Sequence, residues 1–172
     1  MISFKNYEDL LNKVDDKFQE ILRAKPEYFS CKKGCHACCK PGLTVSVIEK
    51  EYIKKYFARR PLLINELKNL KKSDPHQGAR CEMLNNEGEC VIYEVRPIIC
   101  RSHGSPILFP DEEKPRLDVC PLNFKGENLE QLEENLKINI SILNTILALV
   151  NIKEFPESNE ERFGLTVDEI TL

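Results

Sequence analysis

The chain has 172 residues, with 25 Lys or Arg, 28 Asp or Glu and a formal net charge of −3. That length suits a single domain, 1–172, able to bury a core without cross-links. Hydrophobic residues make up 41%, yet no apolar run approaches the ~20 residues of a membrane-spanning helix, so a membrane partner is not expected.

Elements follow from periodicity. Tyr7, Leu10, Leu11, Val14, Phe18, Ile21 and Leu22 recur at helical spacing, which predicts an amphipathic helix over about 4–24 that ends near Pro26. Residues 30–42, SCKKGCHACCKPG, lack an apolar period and read as a loop. Ser46 and Glu49 form a capping box, so a second helix should run on through Tyr52, Ile53, Tyr56 and Phe57. Pro61 suits a first helical position and opens a third helix burying Leu63, Leu67 and Leu70. Residues 73–80 read as a linker loop containing His76.

Asn85-Asn86-Glu87-Gly88 reads as a turn between two short β-like arms. Pro97 should start one helical turn carrying Cys100, and Pro106, Pro110 and Pro115 mark 102–119 as loop. Leu129, Leu132, Leu136, Ile140, Leu143, Leu147 and Val150 predict a long helix over about 129–150, packed on the first. The expected fold is mainly α with a small β-hairpin, a compact helical domain organised around a cysteine-ligated metal cluster in 30–121.

Eight cysteines carry the chemistry: Cys31, Cys35, Cys38, Cys39, Cys81, Cys90, Cys100 and Cys120. None lies in the first 30 or last 52 residues. The N-terminus has no apolar h-region, so a secretory signal is not expected and a cytoplasmic location is. In a reducing compartment such clustering points to metal ligation rather than disulfides. The tight quartet Cys31-x3-Cys35-x2-Cys38-Cys39 closes short loops at small entropic cost, and Gly34 permits a tight backbone. The dispersed quartet is Cys81, Cys90, Cys100 and Cys120. Thiolate is the soft donor that zinc and iron–sulfur clusters select. Neighbouring side chains diverge, so Cys38 and Cys39 should serve different metal atoms, or one should only support the other.

Arg96 and Arg101 flank Cys100 and are candidates to offset thiolate charge and orient sulfur around a bound cofactor. His36, His76 and His103 are reserve ligands. Residues 31–80 hold 12 Lys or Arg against 4 Asp or Glu. This basic segment is read as charge balance for thiolates, so nucleic acid is not an expected partner and the metal ion is. Catalytic residues are not expected. The sequence has no glycine-rich phosphate loop, nucleophile elbow or catalytic carboxylate motif.

The run Cys31-Lys-Lys-Gly-Cys35-His-Ala-Cys38-Cys39, then Cys81, then Gly88-Glu-Cys90-Val-Ile-Tyr93-Glu-Val-Arg96-Pro97-Ile-Ile-Cys100-Arg101, then Cys120-Pro121, resembles the YkgJ-type cysteine-cluster proteins, a zinc- or iron-chelating family. The resemblance implies metal binding: zinc, as one or two ions, or alternatively a [4Fe–4S] cluster. A similar cysteine set occurs in flagellin lysine methylases, where it accompanies iron–sulfur chemistry, so an iron–sulfur-dependent oxidoreductase or a methylase-associated module is the alternative reading. The spacing of Cys31, Cys35 and Cys38 also equals the radical S-adenosylmethionine triplet. That chemistry sits on a β/α barrel of about 200 residues or more, and no βα alternation occurs here.

Overall fold

The computed structural model describes residues 2–32, 34–73, 78–109, 111, 114–158 and 160–171. His76 and Pro110 lie outside them. Among the described residues the chain runs α1 (Lys5–Ala24), β1 (Thr44–Ser46), α2 (Val47–Ala58), α3 (Pro61–Ser73), α4 (Ile98–Ser102), β2 (Ile107–Phe109), β3 (Arg116–Asp118), β4 (Ile138–Asn139), α5 (Ile140–Glu154), β5 (Arg162–Gly164) and α6 (Val167–Thr171). Helix dominates and the strands are short, as the periodicity predicts. The chain divides into two compact units, and each is built from separate stretches of sequence.

The first unit comprises Met1–Phe4, Lys33–Pro97 and Asn151–Leu172. Its capping box closes as expected: Glu49 accepts the Ser46 backbone N–H at 2.8 Å and the Ser46 hydroxyl at 3.0 Å. The buried Asn151 side chain adds a second cap, accepting the Ile48 N–H at 2.9 Å. Together they satisfy amides that a helix start leaves without partners. Val45, Ile48, Ile53, Phe57 and Leu67 are buried with Met83, Ile92, Val167 and Ile170. Strand β1 pairs antiparallel with β5, in the register Val45 with Phe163. Three-residue strands leave too few alternations to be read from sequence, and neither β1 nor β5 was expected.

The expected hairpin at 81–93 reduces to one antiparallel bridge, Leu84 with Cys90. Asn85 builds its turn, accepting the Gly88 N–H on its carbonyl at 3.1 Å and the Glu89 N–H on its side chain at 2.8 Å. Lys71 on α3 meets Glu82 and Asp168, each at 3.0 Å, while Glu82 also accepts the Val167 N–H at 2.8 Å. Those contacts join α3, the Cys81 segment and α6.

The second unit comprises Lys5–Lys32 and Ile98–Val150. Helix α1 packs chiefly on α4, where buried Arg101 ion-pairs with Asp15. A three-stranded sheet orders β3-β2-β4, with β2 antiparallel to β3 and parallel to β4. The expected loop over 102–119 therefore contains a hairpin: the prolines flank Ile107-Leu108-Phe109 without interrupting it.

The predicted helix over 129–150 also differs. Residues 129–131 and 134–136 form separate 3₁₀ turns, and α5 begins at Ile140. Asn139 sets that start, its side chain accepting the Ser141 and Ile142 N–H groups at 3.0 and 3.2 Å. A cap outranks apolar spacing that merely continues past it. Leu143 of α5 packs against the buried cluster of Ile21, Phe124, Leu136 and Ile138, while α1 has its main packing on α4. The other side of α5 leaves Ile142 57% and Leu149 63% exposed.

Candidate metal centre

The cysteines fall into both units. Cys35, Cys38, Cys39, Cys81 and Cys90 belong to the first, and Cys31, Cys100 and Cys120 to the second. None of the eight is joined in a disulfide. Of the tight quartet, Cys31 belongs to the second unit and Cys35, Cys38 and Cys39 to the first.

In the first unit, turns shape the motif loop. The Cys39 N–H donates to His36 O at 2.9 Å, and the Lys40 N–H donates to Cys38 O at 2.9 Å. The second bond closes a three-residue turn centred on Cys39. It fixes the backbone between the two neighbouring cysteines, and Cys39 raises the Cys38 thiol. The Cys81 N–H then donates to Cys39 O at 3.1 Å, fastening the motif loop to the second cysteine segment. His36 locks the loop further. Its Nδ1 donates to Gly34 O at 3.1 Å, and its ring lies against Gly88.

Three thiols here are held neutral. Hydrogen bonding to Cys39, then burial, raises the Cys38 thiol far above its ordinary range. Burial pushes Cys90 up to about 11, with the Cys81 and Cys38 charges adding to the shift and Arg96 opposing it. Burial also raises Cys81. Cys90 thus feels both Cys81 and Cys38. Arg96 is anchored there, stacked 4.0 Å from the Tyr93 ring centre and donating to Tyr93 O at 2.9 Å. It acts on Cys90, ahead of it in the chain, rather than only on the flanking Cys100.

In the second unit, α4 carries Cys100 and Arg101. Arg101 turns to Asp15, tying α4 to α1. His103 Nδ1 lies 2.7 Å from Ile99 O. A carbonyl only accepts, so in both His36 and His103 the neutral ring has its proton on Nδ1 and leaves Nε2 with a lone pair, as a ligating histidine requires. Buried Asn123 is the residue that sequence reasoning missed. Its side-chain amide donates to Cys31 Sγ at 3.2 Å, and its backbone N–H donates to Cys120 O at 2.8 Å. Its position three residues after Cys120 was the only available signal, and it is a weak one.

Among the described residues, no group of three His, Cys, Asp or Glu side chains stands in metal-binding geometry. Ligation by these cysteines requires their thiols to lose their protons. The donor chemistry itself fits zinc or iron, because thiolate is their common soft ligand.

Residues 30–121 match the family described as "Putative zinc- or iron-chelating domain", and the chain belongs to that family. No curated protein and no solved structure matches it.

Proposed function

We propose that this protein binds zinc through its cysteine thiolates, as a metal-binding protein rather than a catalyst. The observation that carries this reading is the Cys39–Cys81 backbone hydrogen bond, which brings the motif loop to the segment holding Cys81 and Cys90. Cys38, Cys39, Cys81 and Cys90 are the four sulfurs best placed to close on one ion, with Cys35 in reserve. Four thiolates complete the tetrahedral shell of a structural zinc site, which leaves no open position for a substrate. Cys31, Cys100 and Cys120 supply thiols for a second site, with His103 as the imidazole available beside them. Arg96 offsets the charge of the first thiolate set. Eight free thiols suit a reducing, cytoplasmic setting.

An iron–sulfur cluster is the second reading, favoured by the spacing of Cys31, Cys35 and Cys38. Metal analysis and a visible spectrum of anaerobically purified protein separate the two. Colourless protein with one or two zinc ions per chain supports the proposal. Brown protein with iron and acid-labile sulfide overturns zinc in favour of a cluster, and metal-free protein that takes up neither overturns both.

A further inference from the structure

Asn123 is 2% exposed, and all of its polar groups are used. Its Oδ1 accepts the Ser30 N–H at 2.9 Å. Its Nδ2 donates to Gly104 O at 2.8 Å and to Cys31 Sγ at 3.2 Å. A backbone N–H can only donate and a carbonyl can only accept, so these partners fix which way the amide faces. The sulfur therefore meets N–H, never the amide oxygen. The backbone N–H of Asn123 adds the bond to Cys120 O. One buried side chain thus holds Cys31, its neighbour Ser30 and the Gly104 segment that follows Cys100, while its own backbone holds Cys120.

The surroundings leave this contact little freedom. Gly104 has φ +104, and a Cβ there would lie 3.3 Å from Cys31 Sγ and 3.4 Å from Asn123 Nδ2. That backbone conformation favours glycine, and a side chain there would crowd both the sulfur and the amide. Phe124 holds a left-handed backbone at φ +51, which is costly without glycine. It is kept there by its N–H bond to Tyr28 O at 2.8 Å and by packing on Tyr28 and Phe29. The Asn123 backbone is consequently anchored on both sides. Cys31 is itself exposed, and this amide bonds its sulfur directly.

We infer that Asn123 is a positioning residue for metal ligation, orienting Cys31 Sγ through its Nδ2–H and holding Cys31 and Cys120 as a pair. The inference rests on the reading of the cysteines as metal ligands. An N–H bonded to a metal-bound sulfur also draws electron density from it, which alters the sulfur-to-metal charge-transfer band. Groups that support ligands in this way typically change metal affinity by about 10–100-fold when removed.

The test compares Asn123→Ala with wild type in two measurements. Alkylation of the metal-free chain, resolved by cysteine, should accelerate at Cys31 and leave Cys35 and Cys90 unchanged. Cobalt titration should show affinity lower by about 10–100-fold, with the charge-transfer band displaced. In a Cys31→Ser background the same Asn123 substitution should have no further effect on cobalt. An equal loss in that background shows a merely structural role and overturns the inference, as do equal cobalt uptake and equal Cys31 alkylation in wild type and variant. Failure of the wild-type chain to take up cobalt is a different result, and overturns the metal reading on which the inference stands. If Asn123→Ala does not fold, Asn123→Asp provides the same comparison, keeping the shape and the Ser30 acceptor while losing the N–H.

Discussion

At Gly88 the chain adopts φ +77, and a Cβ would sit 2.8 Å from His36 Nδ1. The residue therefore meets two demands: a left-handed turn after Asn85, and a close approach by the histidine of the motif loop. Gly88→Ala should cost about 1–2 kcal/mol from the backbone alone, before any displacement of His36. Urea unfolding of metal-free protein measures it, and a loss below about 0.5 kcal/mol would show that the turn relaxes freely. The sequence reveals the turn, because Asn-x-x-Gly is a local signal. It does not reveal that His36 occupies the space above the glycine, since 52 residues separate them.

Among the elements, α2 begins where its capping box says it should. Ser46→Ala should destabilise by about 1 kcal/mol, the usual cost of losing a cap, in thermal or urea unfolding. Asn139→Ala should cost a similar ~0.5–2 kcal/mol and fray the first turn of α5, seen as faster amide exchange at Ser141 and Ile142. No change there would mean that packing of Ile140 and Leu147, and not the cap, fixes the helix start. The link between α3 and α6 has a pH signature. Lys71 lowers the Asp168 carboxyl and is itself raised, mainly through its hydrogen bonds to Asp168 and Glu82. A depressed carboxyl stabilises above its unfolded value and loses that effect as pH falls through its folded one; a raised lysine stabilises below its unfolded value and loses it as pH rises through its folded one. The stability difference between wild type and Asp168→Asn should therefore be largest on the plateau between about pH 4 and 10 and shrink at both ends. A difference independent of pH from 2 to 7 removes the ion pair as its cause.

The whole molecule is interleaved. The chain passes from one unit to the other after Phe4, Lys32, Pro97 and Val150. The family match at 30–121 thus takes in parts of both units and completes neither. A fragment of 30–121 lacks α1, the partner of α4, and lacks β5 and α6, the partners of β1 and α2. It should show little helix by circular dichroism and no cooperative unfolding, with or without zinc; a cooperative transition would show that the cysteines alone organise a fold. Structural zinc contributes about 10–16 kcal/mol in small peptides, against a typical domain stability of about 5–15 kcal/mol. Chelation should accordingly reduce hydrogen-exchange protection across the cysteine-bearing loops, and protection unchanged from 30 to 121 would exclude a structural metal.

By itself the sequence determined the helices α1, α2 and α3, the turn at Asn85–Gly88 and the presence of a cysteine-rich metal-binding motif. These depend on periodicity, caps and spacing within a few residues, where the chain's own geometry decides the outcome. The tertiary structure alone decided the short strand pairs, which carry too little local pattern to register. It also decided which segments meet the cysteines, because that depends on bonds between distant residues, Cys39 with Cys81 and Asn123 with Cys31, which only the folded chain brings within reach.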